Sequence, residues 1–586
     1  MEKKIKGLEA KFITHLEKKD VGYDVHFVKE YTHYEDGTST SRLKLIEDVK
    51  YPVYVTKDHY RKHVDKKETE ALTKLKKVLV TNSTKANDIA KELNMPGYSK
   101  NSMRDVAGSS YLYGADIDSS SFLKQAYDSK YGISTPNKVC CLDIENDVFT
   151  NEITVSTIMT LEKMLTNINP DFIKGIDNVE AKLLKLYEEL IPETYTDGEG
   201  KQQPTLKHTI KPNFRIANSE LDLIENSFAN VHTWSPDVLN SWSSYDMRHC
   251  ADRLMYHNVH PKDVFSDPDI PKALRYYKFK EGQTMKVTES GRKVPRAFQD
   301  IWTTVVAPAK WYWIDSMVLY NYIRLAEAAV PTGYGLDSIL NKELKLNKLK
   351  FDKVTSKKKD WHVEMSRDYP LEYIIYNIWD VMSMLQLEIK NNDSSLSLPM
   401  FSGYSPYEYF GSGPKKLVTD MYFNFLGTAD RVIGTKPPVP NSDKILGLDD
   451  WIITLQNFKM HPDTGKKIVY NLASSLQTIY KTVGDLDISS SYPSITDAAN
   501  VSKDTTRREL INIKGVDKAV FKKQNINTLY GPINSGQYCR VMFNRPDHMT
   551  IVDQVPAILK EIADEKLRKS IAVKEVKVEV TMEDLM

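Results

Sequence analysis

The sequence predicts a multidomain protein of α/β and α+β class, and three observations lead to this. Its 586 residues suffice for roughly three or four domains with their own cores. From about 136 to 395, strand-like and helix-like runs alternate, which is typical of an α/β domain. The stretch 396–470 holds most of the glycine and proline punctuation and indicates a connector. We therefore predict an N-terminal domain over 1–135, an α/β domain over 136–395, and a connector with a final domain over 396–586.

In the first domain, Tyr51–Thr56 is strand-like and the lysine-rich run 69–80 is predicted to be helical. The stretch 97–120, rich in Ser, Gly, Asp and Tyr, is predicted to form loops. We interpret the lysines as solvated surface charge, with a nucleic-acid-binding face as the alternative. In the second domain, 196–203 and 280–296 are predicted surface hairpins or insertions.

Composition excludes several classes of protein. Hydrophobic content is 41% and charged content 27%, which is ordinary for a globular protein, and no run of about 18 apolar residues predicts a membrane-spanning helix. The net charge is +1, so any DNA-binding surface must be a local patch. We expect no signal peptide, no membrane and a reducing, cytoplasmic setting (the host cytoplasm if the protein is viral). The four cysteines, which show no metal-ligand spacing, are Cys140, Cys141, Cys250 and Cys539.

An apolar strand over 139–145 ends in two carboxylates, Asp143 and Glu145. Because side chains two apart in a strand share a face, the two carboxylates lie close together and repel each other unless a divalent cation sits between them. The same stretch contains Cys140 and Cys141, which we predict to be buried thiols. On its own, such a strand end is more often structural than functional.

Two later segments carry further carboxylates. Asp246 opens a predicted helix, with N-capping as the alternative role. The run 371–388, opened by Pro370, is a strongly periodic helix that places Tyr376 and Asp380 one turn apart on one face. The alternative for this pair is a half-buried tyrosine and a surface acid. The lysine-rich stretch 340–360 between the two segments could be an exposed helix or a basic rim.

Near the end of the chain, an apolar strand leads into Asp487, and a small-residue turn then ends in Tyr492. A fixed carboxylate beside free backbone carbonyls suits Mg²⁺ carrying a triphosphate. On a following helix, Lys523, Asn527 and Tyr530 would lie on one face. That face offers a cation for phosphate, an amide, and a ring that can stack on a base pair. The alternative is an ordinary amphipathic helix with a glycine cap.

The patterns at 487–494 (Asp-x-x-Ser-x-Tyr-Pro-Ser) and 523–531 (Lys-x-x-x-Asn-x-x-Tyr-Gly) resemble motifs A and B of family B DNA polymerases. Asp-x-Glu at 143–145, Tyr-Asp at 245–246 and Tyr-x-x-x-Asp at 376–380 resemble the three exonuclease motifs of proofreading members, in family order. The runs 313–320 and 334–340 also resemble that domain. The resemblance spans roughly 136–570. It implies an RNase H-like 3′–5′ exonuclease domain over 136–395, then a partial polymerase palm with much reduced fingers and no thumb.

The resemblance also implies the chemistry: in-line displacement at phosphorus, with two Mg²⁺ ions per active site or Mn²⁺ in their place. The implied exonuclease metal ligands are Asp143, Glu145, Asp246 and Asp380, and Tyr376 would orient the attacking water. The implied polymerase metal ligands are Asp487 and the carbonyl of Ile488. The implied nucleotide-binding residues are Tyr492, which would reject a 2′-hydroxyl, and Ser491, Lys523, Asn527, Tyr530, Arg507 and Arg508. Lys523, with Arg507 or Arg508, would neutralise the triphosphate.

The sequence departs from the family pattern at four points. Only 40 positions separate Asp487 from Asn527, so the fingers must be a short hairpin. Ser491 stands where an apolar residue is usual. The asparagine expected five residues before Asp246 is Ser241, with Asn240 beside it. The Asp-Thr-Asp of motif C is missing, although Glu583 and Asp584 fall near its expected position.

These departures lead us to expect the N-terminal part of a split DNA polymerase of the kind some tailed bacteriophages encode, acting in DNA replication. A second polypeptide would supply motif C and the thumb. The other expected partners are primer–template DNA and dNTPs, with a sliding clamp as a further candidate. Two alternatives stay open. One is a stand-alone 3′–5′ exonuclease whose polymerase part binds DNA without catalysis, and the other is a non-catalytic DNA-binding subunit.

Overall fold

The structure is a computed structural model and describes residues 3–18, 23–63, 67–95, 102–197, 200–287, 292–324, 330, 332–351, 353–354, 359–398, 413–436, 458–460, 467–469, 506–512 and 538–544. The chain divides into two units, 1–440 and 441–586. The mixed α/β class predicted from the sequence is confirmed, with several sheets and helices on the described residues. No helix in these ranges is long and apolar enough to cross a membrane. The boundaries of the three predicted domains remain predictions.

The first unit begins with two antiparallel sheets, ordered β1-β2-β3 and β6-β4-β7. The elements of this region, in chain order, are β1 (Ile5–Lys18), β2 (Tyr23–Tyr34), β3 (Ser39–Glu47), β4 (Tyr51–Thr56), β5 (Thr69–Ala71), β6 (Leu75–Val80), α1 (Lys85–Glu92), α2 (Met103–Val106), β7 (Leu112–Tyr113) and α3 (Ser119–Tyr131). The strand predicted at Tyr51–Thr56 is confirmed. The loops predicted over 97–120 contain α2 and β7, and α3 begins before they end.

The prediction of a helix over 69–80 is wrong, because this run forms the strands β5 and β6. β6 pairs antiparallel along the whole of β4, from Thr56↔Leu75 to Tyr51↔Val80. It is an outer strand of its sheet, and its lysines project into solvent while Leu75 and Val80 are buried. Pairing and burial with a distant strand outweigh the mild helix preference of lysine, which amounts to a few tenths of a kcal/mol per residue.

The centre of the first unit is a six-stranded mixed sheet, ordered β13-β10-β9-β8-β14-β19. β9 runs antiparallel to β8 and β10, whereas β8, β14 and β19 are mutually parallel. The elements of this region are β8 (Val139–Asn146), β9 (Ile153–Met159), β10 (Met164–Ile168), α4 (Val179–Leu190), β11 (Thr194–Thr196), β12 (Gln202–Pro204), β13 (Phe214–Ile216), α5 (Glu220–Trp234), β14 (Val238–Ser241), α6 (Tyr245–Tyr256), α7 (Pro261–Phe265), β15 (Lys278–Lys280), β16 (Met285–Val287), β17 (Lys293–Pro295), β18 (Thr304–Val306), β19 (Tyr312–Asp315), α8 (Ser316–Ile323), α9 (Leu336–Leu344), α10 (Lys359–Asp368) and α11 (Pro370–Asn391). The predicted surface hairpins correspond to β11–β12 and β16–β17.

Strand β8 shows how this sheet is covered on both faces. Val139 and Cys141 belong to a core that includes residues of α4, α9 and α11. The alternate residues, Cys140, Leu142 and Ile144, belong to a core with α5, α6 and α7. The period-two alternation therefore divides the strand between two helical layers. The cysteines of β8 are buried free thiols, as predicted.

Helix α11 confirms the helix predicted over 371–388. Pro370 occupies its first turn, where the missing N–H costs nothing, and Asn392 ends it in the left-handed region at φ +54°. Its 22 residues are buried almost all round between Leu371 and Leu387. A helix with so little polar surface belongs to the interior, and α11 brings its side chains directly against β8 and β9.

Replacing Trp379 of α11 with alanine is expected to lower the free energy of unfolding of the first unit by about 3–5 kcal/mol. The indole is fully buried and its Nε1 donates a hydrogen bond of 2.9 Å to the carbonyl of Asn347, so the change leaves a cavity and an unpaired carbonyl. Urea unfolding of the purified chain measures the effect. The matched control is Ile389→Ala, because Ile389 lies on the same helix and is 40% exposed. Equal effects of the two changes would contradict the prediction.

The first unit ends with α12 (Gly413–Ala429) and β20 (Arg431–Ile433), which pairs with β5. In the second unit the structure describes four strands: β21 (Phe458–Met460), β22 (Lys467–Val469), β23 (Thr506–Asn512) and β24 (Tyr538–Asn544). β21 pairs with β22 and β23 with β24, both antiparallel.

Candidate metal centre

Carboxylates from three elements of the first unit converge on one cleft. β8 contributes Asp143 and Glu145, α6 contributes Asp246, and α11 contributes Asp380. One carboxylate oxygen from each of Asp143, Glu145 and Asp380 lies within 4.8 Å of the others. All four residues line a cleft of about 530 Å³. The predicted exonuclease residues, which are far apart in sequence, are therefore neighbours in the fold, and Tyr376 lines the same cleft.

Local geometry explains this convergence. Asp143 and Glu145 continue the row begun by Val139 and Cys141, which faces α11. On α11, the polar side chains Tyr373, Tyr376, Asn377 and Asp380 follow the spacing i, i+3, i+4 and i+7, so they form one stripe along the helix.

Each carboxylate of the cluster has a specific partner. Asn377 Nδ2 donates to Asp143 Oδ2 at 2.7 Å, and the hydroxyl of Tyr373 donates to Glu145 Oε2. Lys348 Nζ donates to Asp380 Oδ2 and, at 2.9 Å, to the hydroxyl oxygen of Tyr376. The other oxygen of Asp380, Oδ1, is buried and makes no hydrogen bond of ordinary geometry among the described residues, although the Tyr376 hydroxyl interacts with this carboxylate.

Sequence reasoning missed three of these residues. Tyr373 and Asn377 share the helical face of Tyr376 and Asp380, so the spacing could have identified them. Lys348 gave no usable signal, because it lies between α9 and α10 in the lysine-rich stretch interpreted as an exposed helix or a basic rim. That interpretation is wrong for Lys348, whose side chain is only 30% exposed and enters the cleft.

The structural alternatives for the predicted ligands are also decided. Asp246 is not an N-cap, since Ser244 holds that position and the buried Asp246 follows two residues later. Tyr376 and Asp380 are 6% and 2% exposed, so the interpretation as a half-buried tyrosine and a surface acid is wrong. Neither Ser241 nor Asn240 supplies an amide to the cluster. Ser241 carries only a hydroxyl, which donates to the carbonyl of Ser243, and Asn240 Nδ2 donates to Ser394 Oγ.

Burial and mutual repulsion make these carboxylates reluctant to ionise. Burial, together with the charges of Asp246, Asp380 and Glu145, raises the pKa of Asp143 well above its usual value. Burial raises the pKa of Glu145 to about 8 and that of Asp246 to about 7. Burial alone would lower the pKa of Lys348, but Asp380, Tyr376 and Asp143 outweigh it and raise that pKa well above its usual value. One ammonium thus faces four carboxylates, and ionising all four at once would call for further positive charge in the cleft.

The buried cluster of Asp143, Glu145 and Asp380 could hold a metal ion. The donors are all carboxylate oxygens, which hard divalent cations such as Mg²⁺ and Mn²⁺ prefer. The unpartnered Oδ1 of Asp380 fits the same conclusion, since a buried carboxylate oxygen without a partner is costly and a cation would satisfy it. Asp246, on the wall of the same cleft, is available as a further ligand.

The stability of the metal-free protein is expected to fall as the pH rises from the ordinary carboxyl value of 4.5 to about 8. The folded state holds a proton on Glu145 in this window, whereas the unfolded chain has lost it, so raising the pH favours unfolding. Thermal unfolding in EDTA across this window measures the fall, and excess Mg²⁺ should reduce it. In the Glu145→Gln variant, the loss of stability with rising pH should be smaller. A wild-type slope in that variant would show that another group titrates.

The predicted polymerase residues cannot be placed in the same way. The residues that lie outside the described ranges are Asp487, Ile488, Ser491, Tyr492, Lys523, Asn527, Tyr530, Glu583 and Asp584. Arg507 and Arg508 lie in β23, where they pair with Phe543 and Met542 of β24.

The described fold and site define a mixed α/β protein with a buried acidic cleft suited to divalent cations. No protein-family model matches the chain, and no curated protein matches it.

Proposed function

We propose that the chain is a family B DNA polymerase with a 3′–5′ proofreading exonuclease, and that the acidic cleft is the exonuclease site. The observation that carries the proposal is the convergence of Asp143, Glu145 and Asp380, with Asp246 on the same wall. These residues were singled out from three separate exonuclease-like motifs. A chance match of short motifs would not be expected to bring buried carboxylates from three elements into one cleft.

The sheet supports an RNase H-like arrangement for this part of the chain. Three consecutive strands, β8, β9 and β10, form an antiparallel run. The chain then crosses over through α5 to β14, which is parallel to β8, and onward to the parallel β19. The carboxylates of β8 therefore lie on a central strand whose face is covered by α11. This gives the cleft rigid walls on which ligands can be held.

The proposed substrate is the 3′-terminal phosphodiester of a DNA strand. Asp143, Glu145, Asp246 and Asp380 would hold divalent cations, which supply Lewis-acid stabilisation of the entering and leaving oxygens. Burial raises the pKa of Tyr376 well above its usual value, so its phenol stays protonated and can donate a hydrogen bond to water or phosphate. Lys348 would hold that phenol in place. Asn377 and Tyr373 would orient the carboxylates of Asp143 and Glu145.

The polymerase half of the proposal rests on the resemblance at 487–494 and 523–531. Asp487 and the carbonyl of Ile488 would bind the metal of the incoming dNTP, and Tyr492 would exclude ribonucleotides. Lys523, with one of the two arginines of β23, would neutralise the triphosphate. The substrates would be primer–template DNA and dNTPs.

A primer assay tests both halves. The purified chain is mixed with a 5′-labelled primer on a longer template in Mg²⁺, with and without dNTPs. We expect shortening without dNTPs. With dNTPs, a variant carrying Asp143→Ala and Glu145→Ala should leave the primer unchanged, because a second polypeptide is expected to supply motif C and the thumb. Lengthening by that variant alone, abolished by adding Asp487→Ala, would contradict the split arrangement. Shortening that is never replaced by lengthening, even when a complementing chain is added, would support the stand-alone exonuclease instead.

The acidic cleft argues against the remaining hypothesis, a non-catalytic DNA-binding subunit. A surface that only grips DNA gains nothing from four clustered carboxylates, because the phosphate backbone is itself negative. A non-catalytic subunit predicts a primer of constant length in every arm of the assay, and that result would contradict both the exonuclease and the polymerase proposal.

A further inference from the structure

A second set of metal-ligating side chains lies on the β1–β2 hairpin, outside the residues that line the acidic cleft. One ligand atom from each of His15, Asp24 and His26 lies within 4.8 Å of the other two. The hairpin register explains this, because His15 lies directly opposite His26. Asp24 precedes His26 by two residues and shares its face of the strand. Directly opposed residues of antiparallel strands bring their Cβ atoms about 5 Å apart.

The cluster contains two buried polar atoms that make no hydrogen bond of ordinary geometry among the described residues, although backbone groups of Asn82 and Ile46 interact with the side chains of Asp24 and His26. Asp24 and His26 are fully buried. His15 Nε2 contacts Asp24 Oδ1, which satisfies one oxygen of that carboxylate. The other oxygen, Asp24 Oδ2, and the ring nitrogen His26 Nδ1 have no hydrogen-bond partner of ordinary geometry in the part of the chain that the structure describes. Oδ2 carries lone pairs, and Nδ1 carries one in the tautomer with its proton on Nε2; leaving such atoms buried and unpaired is costly.

The surroundings prepare His26 as a ligand through Nδ1. Its other nitrogen, Nε2, lies 2.7 Å from Ser119 Oγ, and Asn82 Nδ2 donates to the same hydroxyl at 2.7 Å. If the ring proton lies on Nε2 and is donated to Ser119 Oγ, the ring is fixed and Nδ1 keeps its lone pair, as in metal-ligating histidines. Burial, with the neighbouring His15, lowers the pKa of His26 to about 4, so the imidazole is neutral.

The other two residues complete the site. Burial opposes the ionisation of Asp24, but its hydrogen bond and charge interaction with His15 outweigh this and lower the pKa of the carboxyl below its usual value. The side chain of His15 is 23% exposed, which gives an ion a route from solvent. The set thus offers two imidazole nitrogens and one carboxylate oxygen, in contrast to the all-oxygen acidic cleft.

We propose that His15, Asp24 and His26 bind one transition-metal ion of the Zn²⁺ type. Two imidazoles with a carboxylate are a ligand set that Zn²⁺ accepts, and three protein ligands leave a tetrahedral ion one open position. Through Ser119, the first residue of α3, the ion would also fix the hairpin to that helix. This site is independent of the proposed exonuclease and polymerase activities.

The test uses the full chain after treatment with a chelator. Co²⁺ is added in the presence of excess Mg²⁺, which occupies the acidic cleft, and visible absorption reports Co²⁺ bound by nitrogen and oxygen ligands. We expect saturation at one equivalent, displacement by Zn²⁺ and a rise in Tm. The absence of both absorption and bound metal in the wild-type chain would overturn the proposal, and this arm does not depend on how any variant folds.

Variants locate the ion. His15→Ala and Asp24→Asn are each expected to weaken Co²⁺ binding about tenfold or more. The control His59→Ala removes an exposed histidine and should leave binding unchanged. The double variant Asp143→Ala with Glu145→Ala should also retain the signal. Loss of the signal in that double variant, with retention in His15→Ala, would assign the ion to the acidic cleft and leave His15 and Asp24 as an ordinary ion pair.

Discussion

Replacing Asp143 and Glu145 together with alanine is expected to slow the removal of 3′-terminal nucleotides by on the order of 10³-fold or more. The two carboxylates supply the β8 side of the candidate metal site, and no other carboxylate of β8 lines the cleft to replace them. Losing about 4 kcal/mol of charge stabilisation in the transition state corresponds to that factor. Single-turnover shortening of a 5′-labelled oligonucleotide in Mg²⁺ measures it.

The matched control removes two exposed carboxylates of the same domain, Glu162→Ala with Glu180→Ala. It changes the net charge by the same amount and should leave the rate within about twofold, since surface changes of this kind are nearly neutral. Binding of single-stranded DNA should survive in both double variants. If the Asp143 and Glu145 variant degrades DNA at the wild-type rate, the acidic cleft is not the nuclease site.

The second large effect is expected at Lys348. Lys348→Met keeps the length of the side chain but removes its charge, and we expect exonuclease activity to fall about 10²-fold. The hydroxyl of Tyr376 loses the donor that holds it, and Asp380 loses its buried counter-ion. Groups that position or stabilise charge in a reaction are typically worth about 10²–10³-fold.

A pH–rate profile separates this role from a merely structural one. Lys348 lowers the pKa of Asp380 against the effect of burial, so removing Lys348 raises that pKa further. Asp380 then binds metal only at higher pH, and the acid limb of the profile should move to higher pH in Lys348→Met. Lys350→Met is the control, because Lys350 is an exposed lysine of the same loop. If the maximal rate falls while the acid limb of the pH–rate profile stays at the same pH, Lys348 only supports the fold.

The local part of the site could be predicted from the sequence because backbone geometry fixes it. Period two places Asp143 and Glu145 on one face of β8, and period 3.6 places Tyr376 and Asp380 on one face of α11. Those periods hold wherever the segment is packed. The same reasoning, applied more fully to α11, would have included Tyr373 and Asn377.

The lysine-rich segments show where local reasoning fails. The run 69–80 has no strong local preference, and its pairing with β4 decides that it is extended. Lys348 belongs to a stretch with the composition of a solvated surface, yet the loop after α9 turns it into the cleft. Both outcomes depend on segments distant in sequence, so no short window of residues contains the information.

By itself, the sequence determined the mixed α/β class, the helix α11 and the four carboxylates that are candidate metal ligands, because periodicity and residue chemistry are local properties. The tertiary structure decided which side chains meet: Asn377 with Asp143, Tyr373 with Glu145, and Lys348 with Asp380. It also decided the register that sets His15 opposite His26. The physical reason is that burial and pairing between distant segments, rather than propensity, set which charges are brought together and how strongly they interact.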